Sequence, residues 1–313
     1  MVNGVAAALM TPPPRQVIGV DIGGTGLKMG RFDQSGTLLE ELEVPTPQPA
    51  TPGAITSQLV EAIAQLDPQR DADAVGIGLP GPMDRSGRVA QVCINLPGWE
   101  QVPLAAWLEP RLHRPVTMAN DGNCAVLGEQ WLGAACGIED VVLLTLGTGV
   151  GGGIAIDGSP WIGTNLIAGE WGHNPLPWAL ADKKWPAGRD ETPGPKCYCG
   201  KFGCIETFLS GPALARDHGS KFSGAEINML ATKGDLKAKN SIKRYEHRLA
   251  RALASIINTI DPDAIILGGG LSNINRLYKN VPTLWGKWIF SPNCKTPLLK
   301  NVHGDSSGVR GAA

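Results

Sequence analysis

The chain has 313 residues, Lys+Arg 28 against Asp+Glu 29, a net charge of -1 and 42% hydrophobic residues. This is globular composition with room for roughly two domains, and it offers no bulk attraction to nucleic acid or to an anionic membrane. The apolar runs, such as Val141–Leu146 and Ala264–Leu267, are strand-length and far short of the roughly 20 residues that cross a bilayer.

Residues 1–15 lack a basic stretch and end in Pro12-Pro13-Pro14-Arg15, which predicts a disordered leader rather than a signal peptide. A strand follows at Val17–Val20, then the loop Asp21-Ile22-Gly23-Gly24-Thr25, a strand at Leu27–Phe32 and a turn at Gln34-Ser35-Gly36. Helical periodicity over Ile55–Leu66 leads into Asp71-Ala72-Asp73-Ala74-Val75-Gly76-Ile77-Gly78. A strand at Val116–Met118 runs out into Asn120-Asp121.

The pattern then repeats. Val141–Leu146 leads into Gly147-Thr148-Gly149-Val150-Gly151, a strand at Gly152–Ile156 and a turn at Asp157-Gly158. A helix over Arg248–Ile260 leads into Asp261-Pro262-Asp263-Ala264-Ile265-Ile266-Leu267-Gly268. Helix followed by a buried strand reads as α/β with parallel pairing. The duplication predicts two related α/β domains facing each other across a cleft. Two Gly/Thr loops in equivalent places suit a polyphosphate, although each alone reads equally well as a tight hairpin. Ser159–Lys243 has no counterpart in the first half and is expected to carry specificity.

That insertion holds Cys197-Tyr198-Cys199-Gly200-Lys201-Phe202-Gly203-Cys204. The seven cysteines are 93, 124, 136, 197, 199, 204 and 294. An odd number with three close together argues against a disulfide framework and for a reducing, cytoplasmic setting. Cys-x-Cys does not easily close on itself, because alternating side chains diverge. Three thiolates and one imidazole complete a closed tetrahedral zinc site, which is structural in kind. His173, in Gly169-Glu170-Trp171-Gly172-His173, is the imidazole in suitable company; His113, His218, His247 and His303 lack it. Three unrelated buried thiols is the plainer alternative.

Together, Asp21–Thr25, Leu146–Gly149, Gly169–His173 and Cys197–Cys204 resemble the bacterial ROK family of sugar kinases and repressors, within the actin/hexokinase superfamily. The likeness spans residues 16–313. Gly169–Trp178, Cys197–Ser210 and His303–Ala313 look most like its fructokinase (manno-fructokinase) group. The resemblance implies an α/β fold of two duplicated actin/hexokinase-like (ribonuclease H-like) domains with an interdomain cleft. The N-terminal domain would span 16–121, with 301–313 returning to it, and the C-terminal domain 122–300.

It further implies an ATP-dependent kinase that phosphorylates the 6-hydroxyl of fructose, with mannose or glucose as further acceptors. Asp121 matches the general base. Asp21 matches the carboxylate that orients Mg²⁺ or its waters. Gly23, Gly24 and Thr25 match the first phosphate loop, Thr148 and Gly149 the second, and Gly268, Gly269 and Gly270 the segment passing the adenosine. Many members carry Lys directly after Gly-Gly-Thr; here Gly26 stands there and Lys28 comes two later, so no phosphate-binding lysine is assigned. Gly81, Asn95, Asn120, Asp121, Glu170, His173 and Glu206 match the sugar-binding positions. His173 would then serve zinc and sugar, one ring edge each. A kinase of N-acetylated amino sugars or of glucose is the alternative. A repressor fits less well, since the residues before Gln16 are too few for a DNA-binding domain. The implied partners are a hexose, ATP and a second copy in a homodimer, with no nucleic acid and no membrane.

Overall fold

The computed structural model describes residues 16–93, 96–180 and 191–313. The leader, Asn95 and Trp185 lie outside the described residues. The first half contributes strands β1 (Gln16–Ile22), β2 (Gly26–Asp33) and β3 (Leu38–Pro45), helix α1 (Pro52–Leu66) and β4 (Ala74–Leu79). It continues with the hairpin strands β5 (Ala90–Val92) and β6 (Glu100–Val102), helix α2 (Leu104–Leu112) and β7 (Val116–Asn120). Helix α3 (Asp121–Leu132) leads to β8 (Val141–Leu146), β9 (Val150–Ile156) and the short β10 (Ser159–Pro160). The insertion carries helices α4 (Glu206–Leu209), α5 (Gly211–His218) and α6 (Gly224–Thr232). Then come α7 (Leu236–Ile260), β11 (Ala264–Gly268), α8 (Arg276–Trp285), β12 (Leu298–Lys300) and α9 (Ser307–Ala312).

The strands form two five-stranded sheets, ordered β3-β2-β1-β4-β7 and β10-β9-β8-β11-β12. In each, the first two pairings are antiparallel and the last two parallel. The repeat in the sequence is therefore a repeat of topology: β1 and β8 are equivalent, as are β4 and β11. The central strands β4 and β11 are almost wholly buried, as continuous apolar runs require in a covered parallel sheet. One apolar core lies under each sheet. A third packs α3, through Ala125 and Val126, on the inner face of the second sheet at Leu143 and Ile266.

Two helices extend beyond the sequence pattern. α7 begins at Leu236, twelve residues before the apolar period is visible, because Asp235 caps it by accepting the Ala238 N–H at 2.7 Å. Its early turns bury Ala238, Ile242 and Tyr245 in the core, and charged side chains are buried beside them. Arg244 and Arg248 reach Asp217 at 2.6 and 3.0 Å, and Arg248 and Arg251 reach Glu191 at 2.8 and 2.7 Å. These pairs fasten the insertion to α7. α3, one of several helices that the sequence pattern left unmarked, contains Gly122 and Gly128, poor helix formers that hide its period.

The chain crosses between the halves twice. α3 carries it over after β7. After β12 it returns, and α9 lies on β1 and β4. Gly19 and Gly76 make room there: a Cβ on either would collide with the carbonyl of Val309 or Ala312. The two crossing helices touch backbone to backbone, at Gly128 against Ser307 and Gly311 against Cys124. Among the described residues, no helix is long and apolar enough to cross a membrane.

Candidate active site

A cleft of about 510 Å³ opens between the halves, where β1, β7 and β11 end. Asp121 is the first residue of α3 and lines this cleft. Its Oδ1 accepts the Gly122 N–H at 2.8 Å. Burial pushes its pKa up to about 6, with the Glu170 carboxylate adding to the rise and the Gly122 hydrogen bond opposing it. A carboxylate so placed is ionised near neutral pH yet still holds a proton usefully well, as a general base must.

Asn120 caps α3. Its Oδ1 accepts from Gly122 N at 2.9 Å and Asn123 N at 3.2 Å, and its Nδ2 donates to the Gly81 carbonyl at 3.3 Å. Gly81 has φ 111° and lies so close to the Val92 carbonyl that a Cβ would collide with it. These two expected sugar-site residues are thus bonded to each other. Asn95 falls outside the described residues; its neighbour Leu96 lines the cleft.

Asp21 is the next-to-last residue of β1 and also lines the cleft, with Gly23, Gly24 and Thr25. Burial pushes its pKa up to about 6; the carboxylates of Asp121 and Asp305 add to this, and Lys28 opposes. Strand register sets Lys28 directly opposite Asp21. Lys28 is on the cleft wall, 3.9 Å from Glu43 Oε2. It is the cation that no motif had assigned; the register of the hairpin was the signal that could have found it.

The second loop sits differently from the first. Thr148 and Gly149 are at the hairpin tip, while the cleft wall is made by Thr145, Gly151 and Gly152. The tip is drawn toward the insertion: Gly211 N donates to the Gly147 carbonyl at 2.8 Å, and Val150 N to Glu206 Oε2 at 3.0 Å. Gly268 and Gly269 line the cleft, whereas Gly270 starts the turn that leads away. The C-terminal segment adds Asn301, Asp305, Ser307 and Gly308 to the wall. Sequence reading missed these because nothing marks them as neighbours of Asp21.

The cysteine motif closes on His173. One ligand atom from each of His173, Cys197, Cys199 and Cys204 lies within 4.8 Å of the others. Cys199 Sγ and Cys204 Sγ are 3.7 Å apart, and Cys197 Sγ is 3.6 Å from His173 Nδ1. A tetrahedral zinc with Zn–S of about 2.3 Å and Zn–N of about 2.0–2.1 Å has edges of about 3.8 and 3.5–3.6 Å. A disulfide would need about 2.05 Å. The donors therefore fit a four-coordinate soft-metal site.

His173 Nε2, on the other ring edge, meets the Tyr198 hydroxyl at 2.9 Å, with the two rings edge to face. Sequence reading missed Tyr198, which lies between two thiols. Glu206 opens α4; its Oε2 holds the second loop and its Oε1 is 3.9 Å from Cys197 Sγ. Glu170 is exposed and lines a neighbouring, mostly apolar cavity of about 560 Å³ that shares Gly152 with the cleft.

Known proteins share this fold. The pattern of the ROK family matches residues 17–313. The chain is 38% identical over 306 residues to the N-acetyl-D-glucosamine kinase of Photobacterium profundum, covering 94% of this chain and 97% of that protein. It is 37% identical over 305 residues to that of Vibrio cholerae, with the same coverage. The solved ROK hexokinase of Thermus thermophilus superposes with a TM-score of 0.79 at 32% identity, over 95% of this chain and 96% of that one. A ROK family glucokinase from Streptomyces griseus, in complex with glucose and AMPPNP, gives 0.77 at 31% identity, over 95% and 98%. On sequence across almost its whole length and on fold, this chain belongs to the ROK family.

Proposed function

We propose that the protein is an ATP-dependent sugar kinase that transfers the γ-phosphate to the primary 6-hydroxyl of an N-acetylated hexosamine, N-acetylglucosamine first. The observation that carries the sugar class is the likeness to N-acetyl-D-glucosamine kinases at 36–38% identity over 94% of the chain. Fructose is the second reading, favoured by the motifs at Gly169–Trp178, Cys197–Ser210 and His303–Ala313.

In this reading Asp121 accepts the hydroxyl proton as the sugar oxygen attacks phosphorus. A new O–P bond forms at the sugar, and the bond from γ-phosphorus to the ADP oxygen breaks. Gly23, Gly24 and Thr25 offer donors to the phosphates, with Lys28 as nearby positive charge. The second loop, with Thr148 and Gly149 at its tip, closes over them. Gly268, Gly269 and Gly270 pass the adenosine. Asp21 would hold Mg²⁺, which when bound offsets phosphate charge.

Asn95, Asn120, Gly81, Glu170, His173 and Glu206 orient the sugar ring. Zinc at His173, Cys197, Cys199 and Cys204 is structural: it fixes the loop that presents His173 and Glu206. The working form is a homodimer in the cytoplasm, checked by light scattering.

A coupled assay over N-acetylglucosamine, N-acetylmannosamine, glucose, mannose and fructose decides the substrate. The highest kcat/KM is expected with N-acetylglucosamine. A higher value with fructose selects the second reading, and turnover with none of them defeats the kinase reading.

A further inference from the structure

Glu129 sits near the end of α3 with 0% exposure and takes no part in the cleft wall. Its two oxygens accept four hydrogen bonds. Oε2 takes the N–H of Ala134 at 2.8 Å and of Val302 at 3.0 Å; Oε1 takes the N–H of His303 at 3.0 Å and the hydroxyl of Ser307 at 2.6 Å. Burial pushes its pKa up, but these donors outweigh burial and hold the carboxyl below its usual range. A buried charge is costly unless its hydrogen bonds are complete, and here they are complete.

The segment that Glu129 grips is the one that reaches the cleft. Gly304, Asp305, Ser307 and Gly308 stand on the wall, and a Cβ on Gly308 would lie 3.2 Å from Asp21 Oδ2. At the segment's other end Asn301 accepts from the Ser272 hydroxyl at 3.3 Å, and its Nδ2 donates to the Gly304 carbonyl at 3.0 Å. Residues 301–308 therefore run from the turn after β11 to the turn after β1. Both turns line the cleft.

We propose that Glu129 is a positioning residue for the nucleotide: by clasping residues 302–307 it fixes the spacing of the phosphate-facing turns of the two halves. The proposal rests on the cleft binding ATP, as argued above. Glutamine is the sharp probe, because it keeps one acceptor oxygen and turns an NH₂ group against backbone donors.

Binding of AMPPNP is measured by calorimetry on the wild type and on Glu129→Gln, with the sugar KM measured on both. The variant is expected to bind AMPPNP at least tenfold more weakly, with a sugar KM within twofold of wild type. A merely structural Glu129 would lower the folded fraction and leave the affinity of folded molecules alone. Equal AMPPNP affinity in the two proteins overturns the proposal. A wild type that does not bind AMPPNP overturns the reading of the cleft, and this proposal with it.

Hydrogen exchange on the wild type decides the case should the variant fail to fold. The amides of Val302 and His303 are expected to be protected without ligand, and residues 302–308 to gain protection with AMPPNP but not with sugar alone. Free exchange at 302 and 303, or no response to AMPPNP, overturns the clasp.

Discussion

Asp121 and Asp21 are two acids held in a site that resists charge. Both stand near pKa 6 in the fold, raised from an ordinary aspartate value of 3.8. The sign for stability is the reverse of that for a salt-bridged carboxylate. Above about pH 6 each group is ionised at a cost to the folded state, and that cost is relieved as pH falls from about 6 toward 4. For activity the sign is opposite, because a base must be ionised. We therefore expect kcat/KM to fall about tenfold per pH unit below an apparent pKa of about 6. A limb near 4 in a pH-rate profile would show that Asp121 is not the titrating base.

Asp121→Asn should keep its helix position and the capping by Asn120, and lose kcat by about 10²–10⁴-fold. Steady-state kinetics retaining more than about a tenth of kcat would remove it from the chemistry. At this scale the sequence was informative about Asp121 and Asp21, which sit where strands run out into loops. It was silent on Lys28 and Tyr198, whose roles arise from register and from a side chain reaching back across 25 residues.

Among the elements, the cysteine loop was the most legible, because its ligands are close in sequence. What spacing could not show is where the loop points. Glu206 bonds the β8–β9 hairpin at Val150 while approaching Cys197, so one side chain couples the cysteine loop and that hairpin across 56 residues. Cys199→Ser should release about one equivalent of zinc, measured by elemental analysis. It should also raise sugar KM more than nucleotide KM, since the loop presents His173 and Glu206. Freshly purified wild type without zinc would end this account. α7 was legible only in its last half, where apolar residues set the period; in its first half Ala238, Ile242 and Tyr245 enter the core among buried charged residues such as Arg244 and Glu246, and the mixture masks the period.

For the molecule as a whole, the repeated strand-loop-strand and Asp-x-Asp-Ala units foretold duplication, and the matching sheet orders bear it out. The places of the two crossings, after residue 121 and at residue 301, were expected from the family resemblance alone; the glycine contacts that seat them join segments far apart and left no mark in the sequence pattern. The two halves are joined by α3 and the 301–308 segment. Sugar binding should close them and exclude water, the competing phosphoryl acceptor. Small-angle scattering should show compaction with sugar plus AMPPNP, and ATP hydrolysis without sugar should be slow. An unchanged radius of gyration with both ligands would count against a moving cleft.

The seat of α9 on Gly19 and Gly76 also sets an order of events during synthesis. The face of β1 and β4 that α9 covers is finished by Leu79, yet α9 begins only at Ser307. At about 5–20 residues per second, the ribosome takes roughly ten to fifty seconds to make the intervening stretch. Throughout that interval the face of the first sheet that carries Gly19 and Gly76 stands without the helix that covers it. The first half is thus expected to build its sheet and core early and to complete its packing only when the last segment arrives.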